Sequence, residues 1–257
     1  MSIWESDIDE IRIDDIASAF RMEYVRLHDH LWKQVVGVNS KIFIASRILN
    51  FPFDVFIPVD NYFWRLTLDS LIDSCISSVW RITLDQDPQT LTLERLEQNL
   101  LANLETRARH KFQERMAWVR SEHDTGSFKE DIERFRHNHL AHLNRKQAMS
   151  EQIEQSRYPY KELKLGAAYA SEVVRAMSFE RAVSPIFMEY DPRIRRGVGQ
   201  DQRSDIEKLL DDIVLNHWTV QEARGNPDMW KRMRMAVPGG RLKVINEHLR
   251  RQGQAEI

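Results

Sequence analysis

The feature that most constrains the fold is an apolar stripe with helical spacing near the start of the chain. Its members recur every three or four residues, and they are Ile16, Phe20, Tyr24, Leu27, Leu31 and Val35. Residues at this spacing lie on one face of an α-helix, and that face must be buried against other elements. The chain has only nine glycines and eight prolines in 257 residues, so few positions interrupt such helices. The sequence therefore predicts an all-α protein.

The next segments continue the helical pattern. The stretch FPFDVFIPVD at 51–60 contains two prolines and predicts a loop, after which Asp60 or Asn61 can cap a long helix. This helix is apolar around much of its circumference, so it is expected at the centre of the bundle. Its apolar residues are Leu68, Leu71, Ile72, Cys75, Ile76, Val79 and Ile82. Thr92 can cap the following helix, whose inward side carries Leu93, Leu96, Leu100 and Leu104.

Capping patterns predict further helices. The segment 106–121 is expected to bury Phe112, Met116 and Val119. Ser127 and Glu130 have the spacing of a capping box, which predicts a helix that begins at 127 and is anchored by Phe128, Ile132 and Phe135. One more helix is expected over about 160–180, and Ser204 with Glu207 repeats the capping box.

The charge pattern predicts two regions. A helical bundle is expected over 10–188, followed by the linker-like stretch YDPRIRRGVGQDQRS and a basic helical C-terminal extension over 200–257. From 226 to 251 the acidic residues are Asp228 and Glu247, whereas the basic residues are Lys231, Arg232, Arg234, Arg241, Lys243, Arg250 and Arg251. This extension matches no known pattern, and its basic surface could hold RNA, a partner or a second copy of the chain.

Composition excludes several classes of protein. The formal net charge is -2, so attraction to a polyanion requires a local patch. No apolar run approaches the roughly 20 residues of a membrane-spanning helix, and the acidic start lacks the basic and apolar parts of an export signal. We therefore expect a cytoplasmic protein without membrane contact. Cys75 lies among apolar residues, is expected to be a small buried side chain and is the only cysteine, so no internal disulfide can form.

The most distinctive local stretch is RFRHNHLAHLNRK at 134–146, which holds three histidines and four cationic side chains. Three interpretations compete. His139 and His142 have a spacing that could share a metal, but no Asp, Glu or Cys at a helical neighbour position completes a ligand set. The rings could instead be structural and hydrogen-bond to neighbouring helices. The third interpretation is catalytic.

The catalytic interpretation rests on two residue types. Histidine accepts and donates protons near neutral pH, and arginine is a permanent cation whose planar fork suits phosphate oxygens. Together His142 and Arg136 could cleave RNA without metal or cofactor. His142 would assist the 2′-hydroxyl in attacking its own phosphate, while Arg136 would stabilise the charge that builds there. DNA lacks the 2′-hydroxyl and could not react in this way.

The spacing of these two residues sets a geometric condition. On a straight α-helix the side chains of Arg136 and His142 would point about 120° apart and be separated by about 9 Å along the axis. One helix therefore aims them poorly at a single phosphate. Either the helix breaks near Leu140, or a second copy of the chain completes the site across a twofold axis.

Further cationic residues are candidates for contacts to RNA. Arg107, Lys111 and Arg115 follow one another at four-residue spacing on one face of a predicted helix. Such a row usually serves solubility, and a contact to the phosphate backbone is the alternative. Beside the motif, the candidate substrate contacts are Asn138, His139, Arg145 and Lys146.

Three segments in order resemble a known family. They are WRITLDQDPQTLTLERL, FRHNHLAHLN and YKELKL. The second resembles the signature of the HEPN superfamily (higher eukaryotes and prokaryotes nucleotide-binding), in which an arginine is followed by a polar residue and then by a histidine. Here these are Arg136, His137 and His142. The order of the segments is similar to the AbiU-like abortive-infection branch, and the resemblance covers roughly residues 10 to 185.

The resemblance implies an up-and-down helical bundle that forms a homodimer with facing motifs. It also implies metal-independent endoribonuclease activity in a toxin or antiphage role, with a possible antitoxin or regulatory partner. By this correspondence His142 is the general acid/base, Arg136 binds phosphate and His137 orients them. Asn144 stands where some relatives carry a modified tyrosine, which argues against that form of regulation. The alternative function is a non-catalytic RNA- or protein-binding helical module.

Overall fold

The structure is a computed structural model that describes residues 11–51, 62–123, 125–137, 159–179, 205–216 and 239–251, with single positions at 226, 228, 231, 253 and 256. These residues form a short 3-10 turn at Ile13–Asp15 and eight α-helices. In chain order the helices are α1 (Ser18–Asn50), α2 (Tyr62–Thr83), α3 (Leu93–Asn103), α4 (Thr106–Glu122), α5 (Thr125–Phe135), α6 (Tyr160–Ala176), α7 (Asp205–Asn216) and α8 (Gly239–Arg251). Across the described ranges no strand forms beyond one isolated bridge between Ile16 and Leu104. The prediction of an all-α fold is confirmed.

The chain divides into two compact units. The bundle unit comprises Met1–Ile42 and Ile72–Tyr190, and the second unit comprises Phe43–Leu71 and Asp191–Ile257. The sequence prediction had placed 43–71 in the bundle. These residues join the second unit because Ile48 and Phe51 pack into an apolar cluster with residues of α7 and α8. Periodicity shows that a helix face is buried, but not which element covers it.

The core of the bundle unit contains most of the residues predicted from periodicity. The α1 stripe is buried, apart from Leu27, which is half-buried and packs against the same cluster. The predicted inward residues of α3 and α4 join it, and these are Leu93, Leu96, Leu100, Leu104, Phe112, Met116 and Val119. Of the α2 residues in this unit, Ile72, Cys75, Ile76, Val79 and Ile82 are buried. The apolar spacing therefore identified most of this core, whereas Leu68 and Leu71, which were also predicted for it, are half-buried and pack against the apolar cluster of the second unit.

Helix α6 packs closely against its neighbours at Gly166. A Cβ atom at this position would lie 2.8 Å from Cγ1 of Val79 on α2 and 3.1 Å from Cδ2 of Phe128 on α5. Such distances leave no room for a methyl group. The absence of a side chain at Gly166 thus allows α2, α5 and α6 to approach one another.

The predicted helix starts were correct in one case and wrong in another. Thr92 caps α3 as expected, because its Oγ1 accepts a hydrogen bond from the amide of Arg95 at 3.2 Å. Helix α5 begins at Thr125, so Ser127 lies within the helix and the predicted start at 127 is wrong. The capping-box pattern is short, and a helix can begin upstream of it when tertiary packing extends the first turn.

The second unit has its own apolar cluster and a buried ionic network. The cluster contains Ile48, Phe51, Leu210, Val214, Ile245 and Leu249. The buried carboxylate of Glu207 on α7 forms ion pairs with Arg47 at 3.0 Å and with Arg251 at 3.3 Å. The neighbouring carboxylate of Asp211 is buried against His248 on α8. Arg251 therefore pairs within its own unit and does not belong to the free basic surface that the tail composition predicted.

Candidate functional site

The candidate site begins where helix α5 ends. Buried Phe128, Ile132 and Phe135 form one face of this helix and hold it in the bundle unit, where it packs against α6. The apolar anchors predicted for this helix are therefore confirmed. Phe135 is the last residue of α5 and is buried. Arg136 and His137 therefore directly follow a helix end that is anchored in the core.

The structure describes only the first part of the predicted motif. Arg136 and His137 lie within the described residues, whereas Asn138, His139, His142, Arg145 and Lys146 lie outside them. The two geometric alternatives, a break near Leu140 or completion by a second copy, both concern residues outside the described part. They stay predictions.

Arg136 lies against an aromatic ring. Its guanidinium carbon Cζ is 3.5 Å from the centroid of the Trp80 ring, which belongs to α2. This is close enough for van der Waals contact across the ring face and for attraction between the cation and the π-electrons. Both side chains are half-buried, so the contact is partly shielded from water.

The surroundings of Arg136 differ from those of Arg134, which lies two residues earlier at the end of α5. Arg134 is exposed and forms an ion pair with Asp131 one turn earlier. Within the described residues no carboxylate pairs with Arg136, whose guanidinium lies over the Trp80 ring. A stacked guanidinium keeps its N–H donors in its own plane, pointing away from the ring. Arg136 therefore retains hydrogen-bonding capacity for an anion.

The backbone changes its helical form at the motif. Residues 136 and 137 adopt a π-type turn after the α-helix ends, and the side chain of His137 is exposed. A π-type turn has more residues per turn than an α-helix, and such turns are frequent at functional sites. The α-helical geometry therefore does not extend through Arg136, and the two alternatives for the site stay predictions.

The predicted cationic row on α4 does not form a single surface. Arg107 is exposed and Lys111 is half-buried, but Arg115 is only 7% exposed. The Nη1 of Arg115 donates a hydrogen bond to the carbonyl oxygen of Ala176 at 3.2 Å, at the C-terminal end of α6. Its position does not suit the predicted RNA contact, because four-residue spacing drifts around a helix and here reaches the buried face.

Arg115 belongs to a group of polar side chains that cap the end of α6. The hydroxyl of Tyr24 donates a hydrogen bond to the carbonyl oxygen of Met177 at 2.6 Å. Nε2 of His28 lies 3.1 Å from the carbonyl oxygen of Val174. A carbonyl oxygen can only accept, so Nε2 carries the proton of the neutral ring. Desolvation is the main cause that lowers the pKa of His28 from its ordinary value, although the hydrogen bond to Val174 acts in the opposite direction.

This capping group is unsuited to catalysis. Tyr24 and His28 are both 0% exposed, so no substrate reaches them. Burial also raises the pKa of the Tyr24 hydroxyl, which keeps it protonated and a donor. The group satisfies carbonyl oxygens that a helix end leaves without partners.

Trp80 is the residue of the site that sequence reasoning missed. It was visible only inside the segment WRITLDQDPQTLTLERL, with no role assigned. Its position after Val79 on an apolar helix indicates partial burial, but its partner Arg136 is distant in sequence. A single sequence carries no signal for that pairing.

The described residues include no group of three or more His, Cys, Asp or Glu side chains that could hold a metal ion. None of the described helices is long and apolar enough to cross a membrane.

Comparisons with protein-family models, with curated proteins and with solved structures found no match to this chain.

Proposed function

We propose that this chain is a metal-independent endoribonuclease of the HEPN type, which acts as a homodimer in a toxin or antiphage role. The proposal rests on the order of Arg136, His137 and His142 in the sequence and on their chemistry. The observation that carries it is the state of Arg136. This permanent cation is half-buried at the end of a helix, held on an indole ring, and has no carboxylate partner among the described residues.

The proposed reaction uses the RNA's own hydroxyl as the nucleophile. His142 accepts the proton of the 2′-hydroxyl, and the 2′-oxygen forms a bond to the adjacent phosphorus. The bond from phosphorus to the 5′-oxygen breaks, and that oxygen leaves with the bonding electrons and takes up a proton. The products are a 2′,3′-cyclic phosphate and a 5′-hydroxyl, so neither a metal nor a redox partner is consumed.

Arg136 supplies electrostatic stabilisation in this scheme. Negative charge accumulates on the non-bridging oxygens as the phosphorus gains a fifth bond, and a fixed guanidinium close to them lowers the barrier. Partial burial strengthens this effect, because fewer water molecules screen the charge. A cation already neutralised by a buried carboxylate would contribute far less.

The test is RNA cleavage by the purified full chain in the presence of EDTA. We expect cleavage with cyclic phosphate ends. His142→Ala should reduce the rate by about 10²–10⁴-fold, the usual contribution of a general acid/base. Arg136→Ala should reduce it by about 10²–10³-fold. Arg134→Ala is the matched control, because Arg134 lies only two residues before Arg136 but is exposed and paired with Asp131.

Three results would contradict the proposal. Cleavage that requires added metal excludes the reaction as written, and equal activity of wild type and His142→Ala excludes the assigned acid/base. Retention of RNA without cleavage favours the alternative, a non-catalytic RNA-binding module. In that case affinity should fall steeply with salt, because each neutralised phosphate releases counterions.

A further inference from the structure

Trp80 and Arg136 form a contact between α2 and the residue that follows α5 at the candidate site. Trp80 lies on α2, one residue after Val79, whose methyl group lines the close approach to Gly166. The indole is therefore attached to a closely packed part of the bundle unit. Arg136 follows the last residue of α5 and rests on this indole at 3.5 Å.

The contact limits how Arg136 can be arranged. An arginine at a helix end has many rotamers, and an unsupported guanidinium would sample them all. Covering one flat face with an indole removes most of these arrangements. The N–H edges stay open, since the donors lie in the plane of the group. The indole ring thus orients the guanidinium of Arg136 and leaves its N–H donors unused. A carboxylate partner would orient the guanidinium too, but it would occupy those donors.

We infer that Trp80 is a positioning residue for Arg136, which holds the guanidinium so that its N–H edge engages a phosphate of RNA. The inference rests on the proposed function, because it concerns the same cation. Trp80 itself touches no reacting atom in this scheme. Its effect on RNA passes through Arg136 alone, which separates it from a residue that stacks directly on a base.

A double-mutant cycle tests this dependence. The variants are Trp80→Leu, Arg136→Ala and the double variant, measured by single-turnover cleavage and by binding of an RNA analogue whose 2′-hydroxyls are replaced by fluorine. Trp80→Leu should lower the cleavage rate about tenfold in the wild-type background, as expected for loss of a partly desolvated cation–π contact. In the Arg136→Ala background its effect should fall to less than about twofold.

Trp80→Phe distinguishes positioning from general packing. A phenyl ring still offers a π face, so this variant should recover most of the activity that Trp80→Leu loses. A direct readout is the Nε–H proton resonance of Arg136, assigned by its disappearance in Arg136→Lys. The indole ring current should shift this resonance upfield in the wild type, and the shift should vanish in Trp80→Leu.

Several outcomes overturn the inference. Equal losses from Trp80→Leu in both backgrounds show that Trp80 acts independently of Arg136. An unshifted Arg136 resonance shows that the stack does not form in solution. If the wild type binds the analogue but does not cut RNA, the proposed function fails. The double-mutant cycle measured with binding constants then still decides whether Trp80 acts through Arg136. A wild type that neither binds nor cuts overturns both.

Discussion

Replacing Gly166 with alanine tests the close packing that positions helix α5. Two opposing terms determine the result. Alanine favours a helix interior over glycine by about 1 kcal/mol, which stabilises the fold. The added methyl group would lie 2.8 Å from Cγ1 of Val79 and 3.1 Å from Cδ2 of Phe128, and both side chains are buried in the core. Overpacking of this kind costs about 1–3 kcal/mol, so we expect a net loss of about 0–2 kcal/mol.

Gly37 provides a matched control for this experiment. It also lies within a helix, α1, but a Cβ atom there would meet nothing within 4 Å. Gly37→Ala should therefore stabilise the protein by about 1 kcal/mol through helix propensity alone. The difference between the two variants isolates the packing term, which should be about 1–3 kcal/mol.

Thermal unfolding followed by circular dichroism measures both effects. For a chain of this size, 1 kcal/mol corresponds to a change of about 2–4 °C in Tm. A second substitution, Val79→Ala, removes the nearest methyl group and should reduce the penalty of Gly166→Ala. If Gly166→Ala is as stabilising as Gly37→Ala, then α2, α5 and α6 do not approach as closely as the structure indicates.

Three further predictions concern buried polar groups. Burial lowers the pKa of His28 in the folded protein below the value of about 6.5 that it has in the unfolded chain. The contribution of His28 to stability should therefore be complete above about pH 6.5, and it should be lost as the pH falls toward the pKa of the folded state. Urea titrations at several pH values would show this, and His28→Gln should abolish that component. Arg115→Met should cost about 1.5–3 kcal/mol because the Ala176 carbonyl loses a charged donor, whereas Arg107→Met on the exposed face should stay within about 0.5 kcal/mol. Burial raises the pKa of the Cys75 thiol to about 12, so a thiol reagent should label it only after unfolding, and rapid labelling of the native protein would contradict its buried position.

The sequence predicted the core better than it predicted the candidate site. Apolar spacing correctly identified the buried faces of α1, α3, α4 and α5, because burial of a helix face is written in the local order of residues. The same approach failed for Arg115, which continues a four-residue row yet is buried at the end of α6. Whether a charged residue is solvated depends on which element packs beside it.

The motif shows the same difference between what the sequence predicts and what the packing of the chain decides. Its residue types and order, from Arg136 to His142, are properties of the chain and suggest chemistry without any structure. The HEPN relationship that they suggest stays a proposal.

The sequence by itself determined the helical class, the apolar faces and the residues able to move protons or bind phosphate, since these depend on composition and short-range spacing. Only the tertiary structure decided that Ile48 and Phe51 pack in the second unit and that α6 approaches α2 and α5 at Gly166. It also decided that Trp80 lies under Arg136. Such contacts join residues far apart in the chain, and their energies arise from shape and distance in three dimensions, which a linear pattern does not encode.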